Sequence, residues 1–175
     1  LGGPGPLQMC AIPENLDDLP FPDWDIMEMR TYTGEMGRGR HRRYGQINAL
    51  SAIMTSRGCP FSCVFCSTHT MHGRTMRMRS VENVTAEILE LNRRFNVNAI
   101  IPEDDLFTAN PKHSIKLLNA IHDLNLTDFQ LQFPNGLSCN TMNPELMDCL
   151  IRTGMKTVNL AIESGSQWVQ HNIIK

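Results

Sequence analysis

Apolar positions along this chain alternate between short continuous runs and stripes at helical spacing, and the alternation begins near residue 49. "ALSAIMT" (49–55) has the length and composition of a buried strand. From a Ser80 cap to about Phe95, Val84, Ile88, Leu91 and Phe95 recur on one helical face. "VNAII" (97–101) reads as a second strand that Pro102 ends. Asn110 as cap and Pro111 at the first helical position open the next helix, with Ile115, Leu118, Ile121 and Leu124 directed inward. "FQLQF" (129–133) alternates with period two, the pattern of a half-buried strand. Asn143 and Pro144 start a third helix that Gly154 closes, and "KTVNLAI" (156–162) is a fourth strand.

Strands that alternate with helices predict an α/β fold with a parallel sheet and right-handed crossovers. A closed eight-unit barrel takes about 250 residues, roughly 30 per unit. Residues 49–175 therefore hold about four βα units at that spacing, which predicts a partial parallel (β/α) barrel. Residues 1–48 lack either period. "LGGPGP" and "LPFPDWD" are rich in Pro and Gly, and "GRGRHRRYG" is a basic run, so this stretch reads as an irregular linker. The chain opens on Leu1 and ends just after a strand-like segment, the expected look of a piece cut from a longer protein.

Composition changes this picture little. Hydrophobic residues make up 41% and charged residues 19%, ordinary values for a soluble globular chain. A net charge of -2 gives no indication of a nucleic-acid partner, and the basic run reads as solvated linker. No apolar run approaches the roughly 20 residues of a membrane-spanning helix. The six cysteines are more informative: Cys59, Cys63 and Cys66 cluster, while Cys10, Cys139 and Cys149 are scattered. That layout is a poor disulfide framework and suggests a reducing compartment, hence the cytoplasm. Cys139 and Cys149 are expected to be buried small hydrophobes, Cys149 on a helix among Leu146, Leu150 and Ile151.

The chemistry concentrates in "CPFSCVFC" (59–66), a C-x3-C-x2-C array directly after the first strand. Ligands of parallel α/β folds bind at the carboxyl ends of the strands. "EDD" (103–105) follows the second strand, "NG" (135–136) the third and "ESGS" (163–166) the fourth, so four loops are predicted to converge there. Structural zinc sites close with four ligands and usually carry a second knuckle, which this chain lacks, although His69 and His72 lie within reach in sequence. Iron–sulfur clusters are normally held by four thiolates. Three thiolates on a four-iron cluster would leave one iron open, as a catalytic zinc keeps an open position. A structural zinc or iron–sulfur module, closed by Cys139, Cys149 or His69, is the other reading of the same residues.

The array with Phe65 before its last cysteine, within "SRGCPFSCVFCS" (56–67), resembles the signature of the radical S-adenosylmethionine (SAM) superfamily. "RSVENVTAEI" (79–88), "EDDLFTANP" (103–111) and "AIESGSQ" (161–167) are similar to segments of members with an upstream cobalamin-binding domain. "ENLDDLPFPDWDIM" (14–27) resembles the linker from that domain, so the likeness spans most of residues 14 to 175. It implies a barrel of the radical SAM type, about four of an expected six βα units, with residues 49–175 as the N-terminal part of the core. Residues 1–48 would then be the linker from an upstream cobalamin-binding domain.

The resemblance also implies an enzyme in which Cys59, Cys63 and Cys66 hold a [4Fe–4S] cluster and the amino and carboxylate groups of SAM chelate the open iron. One-electron reduction would cleave SAM to methionine and a 5′-deoxyadenosyl radical, with cobalamin supporting methyl transfer in some members. A one-electron donor such as flavodoxin or ferredoxin and an unknown substrate are the implied partners. Phe65 would lie against the adenine. Asp104 or Asp105 would accept from the SAM amino group in place of the family's usual Gly-Gly-Glu segment, and Glu163 and Ser164 would contact the ribose or carboxylate. A methylthiotransferase acting on tRNA or a ribosomal protein is the alternative within the superfamily. Arg74, Arg77 and Arg79 are expected in surface or structural salt-bridge roles, and Met71, Met76 and Met78 in packing.

Overall fold

The computed structural model describes residues 12–26 and 47–174; the first eleven residues with Cys10, and the basic run, lie outside the described residues. Its elements are β1 (Leu50–Ile53), β2 (Ser56–Arg57), α1 (Thr68–Met71), β3 (Arg77–Met78), α2 (Val81–Phe95) and β4 (Ala99–Pro102). They continue with α3 (Pro111–Asp123), β5 (Gln130–Leu131), β6 (Leu137–Ser138), α4 (Pro144–Arg152), β7 (Leu160–Ala161) and α5 (Gln167–Val169).

The three long helices start where the sequence places their caps. Ser80 accepts from the Asn83 amide, Asn110 from His113 and Asn143 from Leu146, each filling one of the orphan donors of a first turn. On α2, Val84, Ile88 and Leu91 are fully buried, as their spacing predicts. The inward stripe of α3 is rotated from the expected one: Ser114, Leu117, Leu118 and Ile121 are buried, whereas Ile115 and Leu124 sit at the margin. The cause is Ser114, whose hydroxyl donates to the Phe107 and Asn110 carbonyls and so turns its own side inward.

The central sheet is parallel with order β1-β4-β5. At its amino-terminal end the buried Asn98 ties the strands together, accepting from the amides of Asn48 and Ala49 and donating to the Asp128 carbonyl. The third strand departs from the half-buried pattern: Gln130, Leu131, Gln132 and Phe133 are all buried, as in a parallel strand covered on both faces. It then breaks. Pro134 has no amide to donate and Gly136 takes a φ of 86°, so the chain re-enters extended structure only at β6. The fourth strand pairs with this second half, Leu137↔Leu160, instead of with β5. Only Leu160–Ala161 remain of the predicted run 156–162, and Val158, Leu160 and Ile162 are exposed.

Residues 12–26 are irregular apart from one 3-10 turn at Leu16–Asp18, yet they lie firmly against the core. Leu16 is buried, Asp17 accepts from the Ser80 amide, and Arg77 donates to the Pro13 carbonyl. Arg79 stacks over Phe21 while its guanidinium reaches the buried Glu87, Asn83 and the Met54 carbonyl. Arg79 thus makes the structural ion pair expected of it, whereas the bonds of Arg77 go to the Pro13 and His72 carbonyls. Cys149 is buried as predicted, but its neighbour Ile151 faces solvent and Cys139 is exposed in a 3-10 turn, two corrections to the sequence reading. Ile151 falls on the outer side of α4, whose buried stripe is Leu146, Cys149 and Leu150.

Candidate cofactor site at the carboxyl ends of the strands

The cysteine segment is an excursion closed at its neck by an antiparallel ladder, β2 with β3, pairing Ser56↔Met78 and Arg57↔Arg77. Just inside the neck, the Cys59 amide donates to the Gly73 carbonyl. Gly58 holds a φ of 95°, and a Cβ there would stand 2.3 Å from the Thr75 carbonyl oxygen, so the close approach of the two arms requires glycine. Arg74 bridges the arms further out, donating to the Phe61 carbonyl and the Ser62 hydroxyl. Cys66 closes a turn on Cys63 through its amide.

Three of the four predicted loops meet. After β4, Asp104 accepts at Oδ1 from the Thr55 amide (2.7 Å) and at Oδ2 from the Thr55 and Ser56 hydroxyls. Burial pushes its carboxyl up, against the pull of those hydrogen bonds. Asp105 accepts at Oδ2 from the Gly58 amide (2.9 Å) and from His72 Nδ1 (2.7 Å). Glu103 is exposed; its Oε2 accepts from Asn135 of the third loop (2.7 Å), and its Oε1 has no partner among the described residues. The fourth loop stands apart: Ser164 bonds to Ser166 and Gln170 within its own segment. Glu163 lines a cavity of about 220 Å³ with Ser138, Cys139, Asn140, Ala161, Ile162 and Gln170. Among the described residues no hydrogen bond joins Glu163 or Ser164 to the other three loops.

The three thiols are half-exposed and close enough to feel one another. Burial pushes the Cys59 thiol up, a hydrogen bond with the Phe61 backbone opposes it, and the negative charges of Cys63, Cys66 and Asp105 raise it further. Deprotonating all three together is therefore costly unless a cation arrives with them. Among the described residues no three His, Cys, Asp or Glu side chains are gathered at the spacing of a single metal ion. Three thiols are the donor type an iron–sulfur cluster takes, and thiolates bound to separate irons of one cluster stand further apart than the ligands of one zinc. His72, within sequence reach as a fourth ligand, is held by Asp105, and His69 is exposed. Phe65, 61% exposed, presents its ring outward beside Cys66.

Sequence reasoning overlooked the β2–β3 neck and the residues that tie the excursion down, Thr55, Ser56, Gly58 and His72. The alternation of "MRMR" (76–79) and the glycines at 58 and 73 were the available signals for the neck.

Relatives and solved structures agree with this architecture. The chain is 32% identical over 167 residues to the cytidylyl-2-hydroxyethylphosphonate methyltransferase of Streptomyces wedmorensis, covering 95% of this chain and 30% of that protein. Thus it spans less than a third of that relative's length. It superposes on the radical SAM methyltransferase TsrM from Kitasatospora setae, bound to cobalamin and a [4Fe-4S] cluster, with a TM-score of 0.54 at 22% identity, covering 64% of this chain and 20% of that one. The cobalamin-dependent radical enzyme OxsB, bound to aqua-cobalamin and SAM, matches with a TM-score of 0.54 at 22% identity over 70% of this chain and 20% of that one. At such identity these two likenesses speak for the fold. The model of the radical SAM superfamily matches residues 53–174, from the end of β1 to beyond α5, and with that the chain belongs to the radical SAM superfamily.

Proposed function

We propose that this chain is the cofactor-binding part of a radical SAM enzyme, with Cys59, Cys63 and Cys66 as the protein ligands of a [4Fe–4S] cluster and SAM at the open iron. The observation that carries the reading is a three-thiol excursion tied by Asp104 and Asp105 to the carboxyl end of a parallel sheet. Bound there, the cluster supplies the electron that cleaves the sulfur–carbon bond of SAM, serving radical chemistry or, with cobalamin, methyl transfer.

The protein's own residues hold and orient. Phe65 offers an exposed ring to the adenine. Asp104 has both oxygens engaged by Thr55 and Ser56, so the acceptor for the SAM amino group falls to its neighbours, Glu103 foremost, with its unpartnered Oε1, and Asp105 second. For the ribose or carboxylate of SAM the candidates are Glu163 and Ser164, on the loop after the fourth strand. Methyl transfer is favoured over methylthiolation because the relative quoted above is a methyltransferase. We read residues 1–48 as the linker from an upstream cobalamin-binding domain and residues 49–175 as the N-terminal part of the core, on the strength of the cobalamin-bound structures that share its fold. A flavodoxin or ferredoxin serves as electron donor, and the reduced thiols suit the cytoplasm. Among the described residues no helix is long and apolar enough to cross a membrane.

The test is anaerobic reconstitution of the full-length protein with iron and sulfide, followed by SAM and a strong reductant. Formation of 5′-deoxyadenosine or a methylated product is expected. Cys66→Ala should lose the cluster's absorbance, whereas Cys149→Ala, a buried packing residue, should keep it. A metal retained through four protein ligands, with SAM left intact, overturns the reading.

A further inference from the structure

Asp105 was expected to face SAM, but its contacts point back at the protein. One oxygen, Oδ2, receives both the Gly58 amide at 2.9 Å and His72 Nδ1 at 2.7 Å. Gly58 immediately precedes Cys59, and His72 is the C-terminal cap of α1, the short helix that follows Cys66. A single carboxylate oxygen therefore pins both ends of the segment that carries the three thiols. Other ties of that segment run to the β3 arm, through Arg74, the Gly73 carbonyl and Arg77, which donates to the His72 carbonyl. Asp105 connects both of its ends to the central sheet, through the loop after β4. The side chains of the pair are 25% (His72) and 12% (Asp105) exposed, sheltered enough for such bonds to hold against water.

We propose that Asp105 and His72 form a clasp that positions the cysteine loop, with Asp105 also setting the electrostatic environment of the cluster. The proposal rests on the reading of Cys59, Cys63 and Cys66 as cluster ligands. Neither clasp residue touches iron; both act through the ends of the loop. His72 must donate from Nδ1, because Oδ2 can only accept from it while Asp105 is ionised. Asp105 Oδ2 lies 2.9 Å from the amide of Gly58, the residue before Cys59, so its negative charge sits beside the first thiol and disfavours adding an electron to a cluster held there.

The experiment uses the full-length protein as wild type, Asp105→Asn, Asp105→Ala, His72→Phe, His72→Asn and the double variant Asp105→Ala/His72→Phe. Hydrogen exchange of the apoprotein comes first. The Gly58 amide should exchange about tenfold to a hundredfold faster in Asp105→Ala, the scale of a lost hydrogen bond to a charged group, while exchange in α2 and α3 stays as in wild type and shows that the fold persists. After reconstitution, Asp105→Ala and His72→Phe should each lose iron to a chelator several-fold faster than wild type. The double variant should be no faster than the worse single one, because both remove the same tie. His72→Asn, which keeps an N–H donor near the position of Nδ1, should restore retention. Asp105→Asn, which removes the charge and keeps the side-chain shape, should raise the midpoint potential of the cluster without the faster iron loss of Asp105→Ala. If Asp105→Ala keeps its iron, its Gly58 protection and its potential but binds SAM more weakly, Asp105 is a SAM ligand and the clasp is refuted. Wild type that assembles no cluster takes down both the clasp and the reading it rests on.

Discussion

Asp104 offers the sharpest test of how the site is held. Its carboxylate accepts from the Thr55 amide and from the hydroxyls of Thr55 and Ser56, 49 and 48 residues earlier in the chain. In Asp104→Ala the two hydroxyls can rotate to new partners, but the Thr55 amide is fixed by the backbone and left unsatisfied. An orphaned buried donor costs about 1–3 kcal/mol, and a bond to a charged acceptor sits toward the upper end, so about 2–3 kcal/mol is expected. At about 1.4 kcal/mol per tenfold, local opening around Thr55 becomes about 30- to 140-fold more frequent. Asp104→Asn behaves differently. Its amide oxygen still accepts from Thr55, its NH2 meets hydroxyls that can turn to accept, and a buried charge is removed. Because burial raises the Asp104 carboxyl, its contribution to stability is full below the unfolded-state value and is lost as pH rises through the folded one. The asparagine variant lacks that slope, so its protection relative to wild type should improve from acid toward neutral pH. Hydrogen exchange of the peptide spanning residues 50–58, read by mass spectrometry between pH 5 and 8, makes the comparison. Equal acceleration in both variants, or none in Asp104→Ala, refutes the assignment of Asp104 as the tie between the first two loops.

Two further predictions concern the frame. Gly154→Ala should lower the melting temperature by the equivalent of more than about 1–2 kcal/mol, because φ is 102° and the new Cβ would stand 2.2 Å from the Phe129 carbonyl oxygen; Gly165→Ala, with nothing within 4 Å, should leave it unchanged. Arg79→Ala strips the buried Glu87 of its partner and should cost about 3–5 kcal/mol while freeing residues 12–26 for limited proteolysis, since the same guanidinium stacks on Phe21. Glu87 is already raised by burial against the pull of Arg79, so without Arg79 it rises further, and its contribution to stability is lost as pH climbs through that higher value. The deficit of the variant against wild type in urea denaturation should therefore be larger at pH 8 than at pH 5.

The helices were legible because their signals are local. Ser80, Asn110 and Asn143 each bond an amide three residues on, and the stripe of α2 needs only its own spacing to be read. The third and fourth strands were legible as strands but not as partners. Pairing depends on which amides remain after Pro134 interrupts the run, and Asn159 reaches back to the Phe133 and Pro134 carbonyls from 26 and 25 residues away. Rotation of the α3 stripe came from one serine whose hydroxyl found a carbonyl inside the core, a preference that a count of apolar residues does not register.

The site divides along the same physical line. The ligands proposed for the cluster must be thiols, and short spacing must gather them, so Cys59, Cys63 and Cys66 stand out within eight residues. The groups that hold those thiols in place face no such demand. Two of the donors to Asp104 and Asp105 are backbone amides, at Thr55 and Gly58, which nearly every residue type possesses. On the acceptor side an aspartate that clasps a loop and an aspartate that binds a ligand have the same letter, and only the direction of the carboxylate separates them. That is why "EDD" could be read from sequence only as an acidic turn, not for its division of labour: Asp104 and Asp105 turn inward to the cysteine loop and its neck, while Glu103 Oε2 takes Asn135 and its Oε1 has no partner among the described residues. Holding is thus delegated to contacts nearly fifty residues apart in sequence, and it takes the fold to bring them together.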